Sequence, residues 1–361
     1  MAVIWHISSN RWNSAITEYA LSSARSLDLM GHMNYFSPLE GSPAERRSLL
    51  YDMQTKSLEK FGLGGIRNFL ALYKKIQPQY VFVYGGPEAT LCKFLPSDVK
   101  VMRFRGQDVS VKDWGLKATI TQKISNSHIT NILAPSVSVA QKLEQINVDP
   151  PIVSVTLGCD NSVFKFVGDN RDLSARPEIM ILGRLDPVKG HQRFLNYFSQ
   201  TLKMWPGILE KPFLHIAGEP ANVSAKDIQR WTEEANLEFG SDVVLTTQRI
   251  EDLPQAFSKV TLGVVCSEGS EVICRVAEEF MLCGVPVFVS GVGSLSDVLV
   301  FKNSGVGYGG LSPEQVPEVL AGLIQSSFAE DSTVRNQRAG EAEKHFSLLA
   351  MGQALQKKLL S

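Results

Sequence analysis

The chain has 361 residues, of which 44% are hydrophobic and 20% charged, with a formal net charge of −1. That length exceeds one ordinary core, so two lobes of roughly 150 to 180 residues are expected, and the near-zero charge argues against a dedicated nucleic-acid binder. No tract is biased enough in composition to stay disordered, so the chain should fold throughout.

The opening MAVIWHISSNRW has only a short apolar run and no basic leader, so a secretory signal is not expected. No later stretch has the apolar length to span a bilayer. The expected placement is therefore cytoplasmic. There the five cysteines, 92, 159, 266, 274 and 283, stay reduced; their spacing matches no paired metal-ligand pattern, and they read as small core residues. Up to residue 160 there are 17 basic and 13 acidic residues, against 19 and 24 afterwards, so the first lobe is mildly basic.

In that lobe short β-rich runs alternate with helical patterns. The runs are VIWHI at 3–7, MNYFSPL at 33–39, YVFVY at 80–84, VMRF at 101–104, NILAPS at 131–136 and PIVSVTLG at 151–158. Helices are expected over Ala15 to Met30, Glu45 to Phe61 and Val137 to Ile146. This alternation implies parallel strands with crossover helices, a doubly wound lobe. A polar connector over Asp160 to Arg176 leads to a second series: EIMILG, FLHIAGEP, DVVLT, VTLGVVCS and VPVFVS, each followed by a turn and a helical stretch. From about Asp331 to Ser361 the chain reads as helices only.

Two stretches in the second series carry candidate chemistry. In ILGRLDPVKGHQRFL, a strand ends at Gly183 and a helix begins near Gly190, so Arg184 and Lys189 flank a strand-to-helix loop. A cation pair there neutralises a phosphate, unless Asp186 pairs with one of the two or both are ordinary solvated charges. In SEGSEVICRVAEEFMLCGVP, a loop of small residues after a strand presents the N–H groups of Val272 to Cys274 at a helix start, with Glu271 at the mouth of the loop. Glu279 follows within the helix. Arg275 is spaced i, i+4 from Glu279 and i, i+3 from Glu278, so read in isolation plain surface pairs are the better account of these charges.

Taken in order, GRLDPVKG, HIAGEP, SEGSEVICRVAEEFMLCGVPV and SGVGSLSDVL resemble the nucleotide-sugar-binding lobe of the retaining GT-B glycosyltransferases of family 4. Glu271 and Glu279 keep that family's separation of two glutamates, and Glu279-Phe-Met-Leu-Cys-Gly-Val-Pro286 matches its Glu-Ala-Met-Ala-x-Gly-x-Pro continuation. The resemblance implies two Rossmann-like doubly wound domains facing an interdomain cleft, 1–165 on the acceptor side and 177–340 on the donor side, with 341–361 crossing back onto the first. It also implies transfer of a UDP- or GDP-linked sugar to a hydroxyl of a glycan or lipid-linked acceptor, with retention and without a metal or other cofactor, as in bacterial envelope polysaccharide or lipopolysaccharide synthesis. A UDP-sugar 2-epimerase of the same fold and a decayed nucleotide-sugar-binding subunit are the alternatives. Nucleic acid is not an expected partner, and the mildly basic first lobe suggests weak peripheral contact with the inner face of a membrane.

By the same resemblance Arg184 and Lys189 face the donor diphosphate with Gly183 beside them, and Glu271 holds the transferred sugar. Val272 and Ile273 add N–H groups, Glu279 binds the ribose hydroxyls, Ile250 in TTQRIEDLPQAF lies near the base, and Arg275 touches phosphate or orients Glu279. Glu278 is left as an ordinary surface charge. In the first lobe SSNRWNSAITEYA occupies the place of the family's glycine-rich loop but has no Gly-Gly, leaving Asn13 and Ser14 as candidates. RFRGQDV resembles the family's His-Gly-x-Asp segment with Arg105 in the histidine position, and an arginine does not serve as a base at neutral pH. Arg105 and Asp108 are the acceptor-side candidates.

Overall fold

The computed structural model describes residues 1–12, 14–61, 63–106, 115–146, 149–207, 209–269 and 271–360. It divides into two compact units: Met1–Asp160 with His345–Ser361, and Asn161–Lys344.

The first unit holds a seven-stranded parallel sheet. Its strands are β1 (Val3–Ser8), β2 (Met33–Pro38), β3 (Gln54–Thr55), β4 (Tyr80–Val83), β5 (Lys100–Phe104), β6 (Asn131–Ala134) and β7 (Ile152–Ser154), in the order β3-β2-β1-β4-β5-β6-β7. Because β1 is flanked on both sides and covered on both faces, it reads as an unbroken buried run, with Ile4, Trp5, His6 and Ile7 all fully buried. Helix α1 (Ala15–Leu29) starts at the Ser14 cap, whose hydroxyl accepts from the Thr17 N–H. The other helices of this stretch are α2 (Pro43–Leu50), α3 (Ile66–Ile76), α4 (Gly86–Leu91), α5 (Leu116–Asn126) and α6 (Val137–Gln145).

The expected helix over Glu45 to Phe61 is cut short. Chain turning at Asp52, in the left-handed region at φ +51°, ends α2 at Leu50 and delivers Gln54–Thr55 as the edge strand β3 beside β2. Asp tolerates that conformation better than most residues, and Leu49 and Leu50 are left exposed rather than forming a buried stripe. The expected strand 151–158 is likewise shorter, three residues in β7.

The second unit repeats the winding. Its strands are β8 (Glu178–Leu182), β9 (Phe213–Ala217), β10 (Val243–Thr246), β11 (Leu262–Val265), β12 (Val287–Val289) and β13 (Gly305–Gly307), all parallel, in the order β10-β9-β8-β11-β12-β13. Helices α7 (His191–Lys203), α8 (Ala225–Glu234), α9 (Leu253–Lys259), α10 (Arg275–Leu282) and α11 (Gln315–Phe328) connect or follow them, and α12 (Ser332–Phe346) and α13 (Leu348–Leu359) end the chain. The strand order reverses between β8 and β11, which makes the carboxyl ends of those two strands the topological switch point, where open sheets bind ligands. Strand β13 was not foreseen: its Gly305 sits at φ +148°, and a Cβ there would lie 1.9 Å from the Val287 carbonyl oxygen. Two buried arginines of α12 fasten this unit's ends. Arg335 donates to Asp169 at 2.9 Å, and Arg338 to the Gly284 and Asn303 carbonyls at 2.9 and 2.6 Å.

Helix α13 belongs to the first unit and packs along α1. A Cβ on Gly352 would lie 2.4 Å from the Ser26 carbonyl oxygen, so the two helices meet backbone to backbone. Cys159 N–H donates to Phe346 O at 2.7 Å, Leu348 N–H to Cys159 O at 3.1 Å, and Lys358 Nζ to Ser154 O at 2.9 Å. Among the described residues no helix is long and apolar enough to cross a membrane.

Candidate functional site

At the switch point of the second sheet the loops leaving β8 and β11 are tied to each other. From β8 the chain passes Gly183 and Arg184 into a single 3₁₀ turn, Pro187–Lys189, capped by the Asp186 side chain. Gly190 follows at φ +73°, and a Cβ there would lie 2.1 Å from the Cys266 carbonyl oxygen at the end of β11. Only glycine allows that approach. The N–H groups of Glu268 and Gly269 both donate to Val188 O, at 2.8 and 3.2 Å, and Cys266 Sγ donates to Lys189 O at 3.2 Å.

This clamp brings Lys189 onto Glu271, 82 residues later in sequence. Lys189 Nζ donates to Glu271 Oε1, and Ser267 Oγ donates to the same oxygen at 2.5 Å. Glu271 is 8% exposed, and its main chain is fixed as well: Ser294 N–H donates to Glu271 O at 2.7 Å, an approach that Gly293 permits at φ +62°. Ser290 Oγ donates to Ser267 O at 2.6 Å, so the loop after β12 braces the serine that braces the glutamate. The N–H groups of Val272, Ile273 and Cys274 have no acceptor among the described residues. They leave donors free beside Glu271 at the start of α10.

Asp186 pairs with neither cation. Its carboxylate accepts from Asn222 Nδ2 at 2.8 Å and from the Val188 N–H at 3.2 Å, and these bonds hold it below the usual carboxylate range. Arg184 is exposed and has no hydrogen-bond partner among the described residues, so its guanidinium is available to a ligand.

Inside α10, Glu279 is 3% exposed and accepts from Arg275 Nε at 2.5 Å. Burial pushes its carboxyl above the usual range, and Arg275 offsets part of that rise. The expectation for Glu278 fails: it is 2% exposed, because a helix lying on the sheet buries the face next to Ala277 and Met281. Its charge lies near enough to Cys274 to raise that thiol after burial has done so. His191, at the start of α7 and 1% exposed, is held neutral: burial, then the neighbouring Lys189 charge, lower it to about 4. Ile250 is half-buried in the segment between β10 and α9. Among the described residues no group of three or more His, Cys, Asp and Glu is placed to hold a metal ion.

In the first unit, Asn13 and Asp108 lie outside the described residues. Ser14 Oγ is engaged twice, as the cap of α1 and as acceptor from Asn10 Nδ2 at 2.6 Å. Arg105 follows β5 with its N–H on Leu133 O at 2.9 Å; its half-buried guanidinium has no hydrogen-bond partner among the described residues, and burial lowers its pKa. Sequence reasoning overlooked Glu88, fully buried at the start of α4, whose carboxylate accepts from Ser9 N–H at 3.0 Å and Ser9 Oγ at 2.5 Å. It ties the loop after β1 to the loop after β4, the switch point of the first sheet. A GPE triplet after a strand was the available signal. Ser267 and Asn222 were overlooked too, since both act through residues distant in sequence.

Comparison with known proteins bears on both units. Residues 176–326 match the sequence profile of the family described as Glycosyl transferases group 1. YtcC of Bacillus subtilis (strain 168), whose name assigns it provisionally to the glycosyltransferases, is 22% identical over 287 residues, 78% of this chain and 66% of its own length, slightly under two-thirds. Over 99% of both chains, Anabaena Alr3699/HepE in complex with UDP superposes with a TM-score of 0.78 at 14% identity, and the same protein was solved with UDP-glucose. Sucrose-phosphate synthase of Thermosynechococcus elongatus has a TM-score of 0.71 at 15% identity, over 98% of this chain and 97% of that one. Identities this low establish the architecture alone: two Rossmann-like parallel-sheet units, the fold of the GT-B glycosyltransferases.

Proposed function

We propose that the protein is a glycosyltransferase that moves a sugar from a nucleotide-diphosphate donor, UDP- or GDP-linked, to a hydroxyl of a glycan or lipid-linked acceptor with retention of configuration. The observation that carries the reading is the Lys189–Glu271–Ser267 cluster at the switch point of the second sheet, beside unused N–H groups and the free Arg184. A carboxylate held by a cation and a hydroxyl is oriented to accept from sugar hydroxyls, and the cations and N–H donors beside it suit a diphosphate. The family match over residues 176–326, and the UDP and UDP-glucose bound by HepE, support a nucleotide-sugar donor.

In the proposed reaction the acceptor oxygen bonds to the anomeric carbon as the bond from that carbon to the diphosphate oxygen breaks. Attack comes from the leaving-group face, and the acceptor proton passes to the departing diphosphate. Arg184 and Lys189 stabilise the charge that develops there, which needs no metal ion. Glu271 orients the sugar and Glu279 accepts from the ribose hydroxyls, with Ile250 near the base. Work at the inner face of a membrane, in envelope polysaccharide synthesis, fits a lipid-linked acceptor.

The reading is tested by thermal-shift titration with UDP, GDP and their glucose and mannose conjugates, followed by product analysis with a lipid-linked or oligosaccharide acceptor. A raised melting temperature with one nucleotide series and formation of a glycoside with the donor's anomeric configuration are expected. Epimerised nucleotide sugar without glycoside, or no shift with any nucleotide, overturns it.

A further inference from the structure

Beside the loop after β11 the second unit has a partly open pocket of about 230 Å³. Three glycines shape it: Gly190, and the pair Gly291 and Gly309, where a Cβ on Gly309 would lie 2.3 Å from Gly291 Cα. No side chain at these positions fills the space. The walls carry Arg193 and Tyr197 from α7, Glu268 from the β11 loop, and Tyr308 just after β13.

Tyr308 is the informative residue. It is 8% exposed, yet its hydroxyl has no hydrogen-bond partner among the described residues. Buried tyrosines normally find one, and here the ring is buried while the hydroxyl opens into the pocket with its bonding capacity unused. The ring is held by stacking on Phe288, with centroids 4.6 Å apart, and by the edge of Tyr197 at 6.2 Å, which sets where the hydroxyl points in the pocket. Burial raises its pKa, and the charges of Arg193 and Glu268, both cavity walls, act on it too.

The remaining bonding capacity describes a ligand. Arg193 spends Nε on Tyr197 Oη at 2.9 Å and stands 3.7 Å from Glu268, which keeps its other N–H groups free. Glu268 has no closer partner. One guanidinium and one carboxylate cancel in charge, while a hydroxyl, several N–H donors and two carboxylate oxygens suit a molecule dense in hydroxyls. The volume lies between the ~150 Å³ that holds benzene and the ~300 Å³ where drug-sized ligand pockets begin, a size that suits a single sugar ring.

From this geometry we infer a second ligand site in this unit, one that takes a neutral polyol of monosaccharide size, with Tyr308, Arg193 and Glu268 as its hydrogen-bonding groups. Its wall includes Ser267, whose hydroxyl fixes Glu271, so an occupant bears on the proposed donor site through that serine. The inference does not rest on the transferase reading, since it needs only the cavity and its unmet bonds.

The test is ligand-observed saturation-transfer NMR on the full chain with glucose, galactose, mannose and N-acetylglucosamine, each alone and with UDP at saturation. At least one sugar should bind whether or not UDP is present. Tyr308→Phe, which deletes only the unbonded hydroxyl, should weaken it about fivefold, the size of one hydrogen bond. Arg193→Ala, at an exposed side chain, should weaken it at least as much. No binding by any of the four sugars overturns the inference, as does binding that neither variant alters. Binding lost in Glu271→Ala but kept in both cavity variants also overturns it, by assigning the sugar to the donor site.

Discussion

Lys189 and Glu271 occupy each other before any ligand arrives, and this makes an uncommon prediction about nucleotide affinity. Their side chains are 28% and 10% exposed, so the pair lies between an exposed ion pair and a buried one. At ion-pair contact and an effective dielectric near 20 the bare attraction is about 5 kcal/mol, and desolvation leaves about 1 kcal/mol net. A diphosphate must draw Lys189 away from that partner. Replacing Glu271 with Gln keeps an oxygen for Ser267 but removes the competing charge, so nucleoside diphosphate affinity should rise about fivefold while sugar transfer falls. Lys189→Ala should act oppositely on binding: affinity drops tenfold to a hundredfold and turnover about 10²- to 10³-fold, the usual effect of losing one transition-state donor. Isothermal titration of both variants with the nucleotide selected by thermal shift reads the first effect, and product formation the second. Weaker nucleotide binding by Glu271→Gln, together with unchanged binding by Lys189→Ala, would show that the pair is structural and that the diphosphate lies elsewhere.

Ser267→Ala should lower transfer about tenfold while nucleotide affinity stays within twofold, since the hydroxyl orients only Glu271; steady-state kinetics beside titration separates the two. Glu279→Gln should weaken nucleotide binding tenfold or more through the lost ribose acceptor, with a distinct signature in stability. Because burial raises the folded pKa of Glu279, the wild type holds its full stability below the unfolded value of about 4.5 and loses some as pH rises through the folded one. The variant should therefore melt higher than wild type at pH 7, and the gap should close as pH falls toward 4.5; a gap independent of pH contradicts this. His6, fully buried between Asn34 and Tyr84, is lowered to about 4 by burial, so the folded form resists its protonation. Stability present above pH 6.5 should be lost as pH falls, by about 3 kcal/mol at pH 4, and His6→Gln should remove that part of the denaturation profile.

Much of this arrangement was legible because parallel strands covered on both faces leave a strong trace. VIWHI and EIMILG are continuous apolar runs, and they are the central strands β1 and β8. Loops that follow such strands lie at the carboxyl edge by topology, so Lys189 and Glu271 could be expected on one edge. What stayed hidden depends on contacts between distant residues. Strand β13 is a Gly-Val-Gly segment with no side-chain pattern, and α2 ends on the conformation of Asp52 rather than on a change of period. Glu278 looked exposed because glutamate usually is, whereas its depth follows from how α10 lies on the sheet. Ser267 is one serine among several until Glu271 is seen to need it.

The return of α13 to the first unit has a consequence for how the molecule is made. Residues 161–344 form an uninterrupted stretch with every strand of their sheet, so that unit can close during synthesis as soon as it emerges. The first unit emerges earlier but finishes later. Its α1 keeps an uncovered side, the one that meets Gly352, until residues 345–361 have left the ribosome. Birth order and completion order are therefore inverted, and the half made first waits, with apolar surface showing, for residues that follow the whole of the second unit.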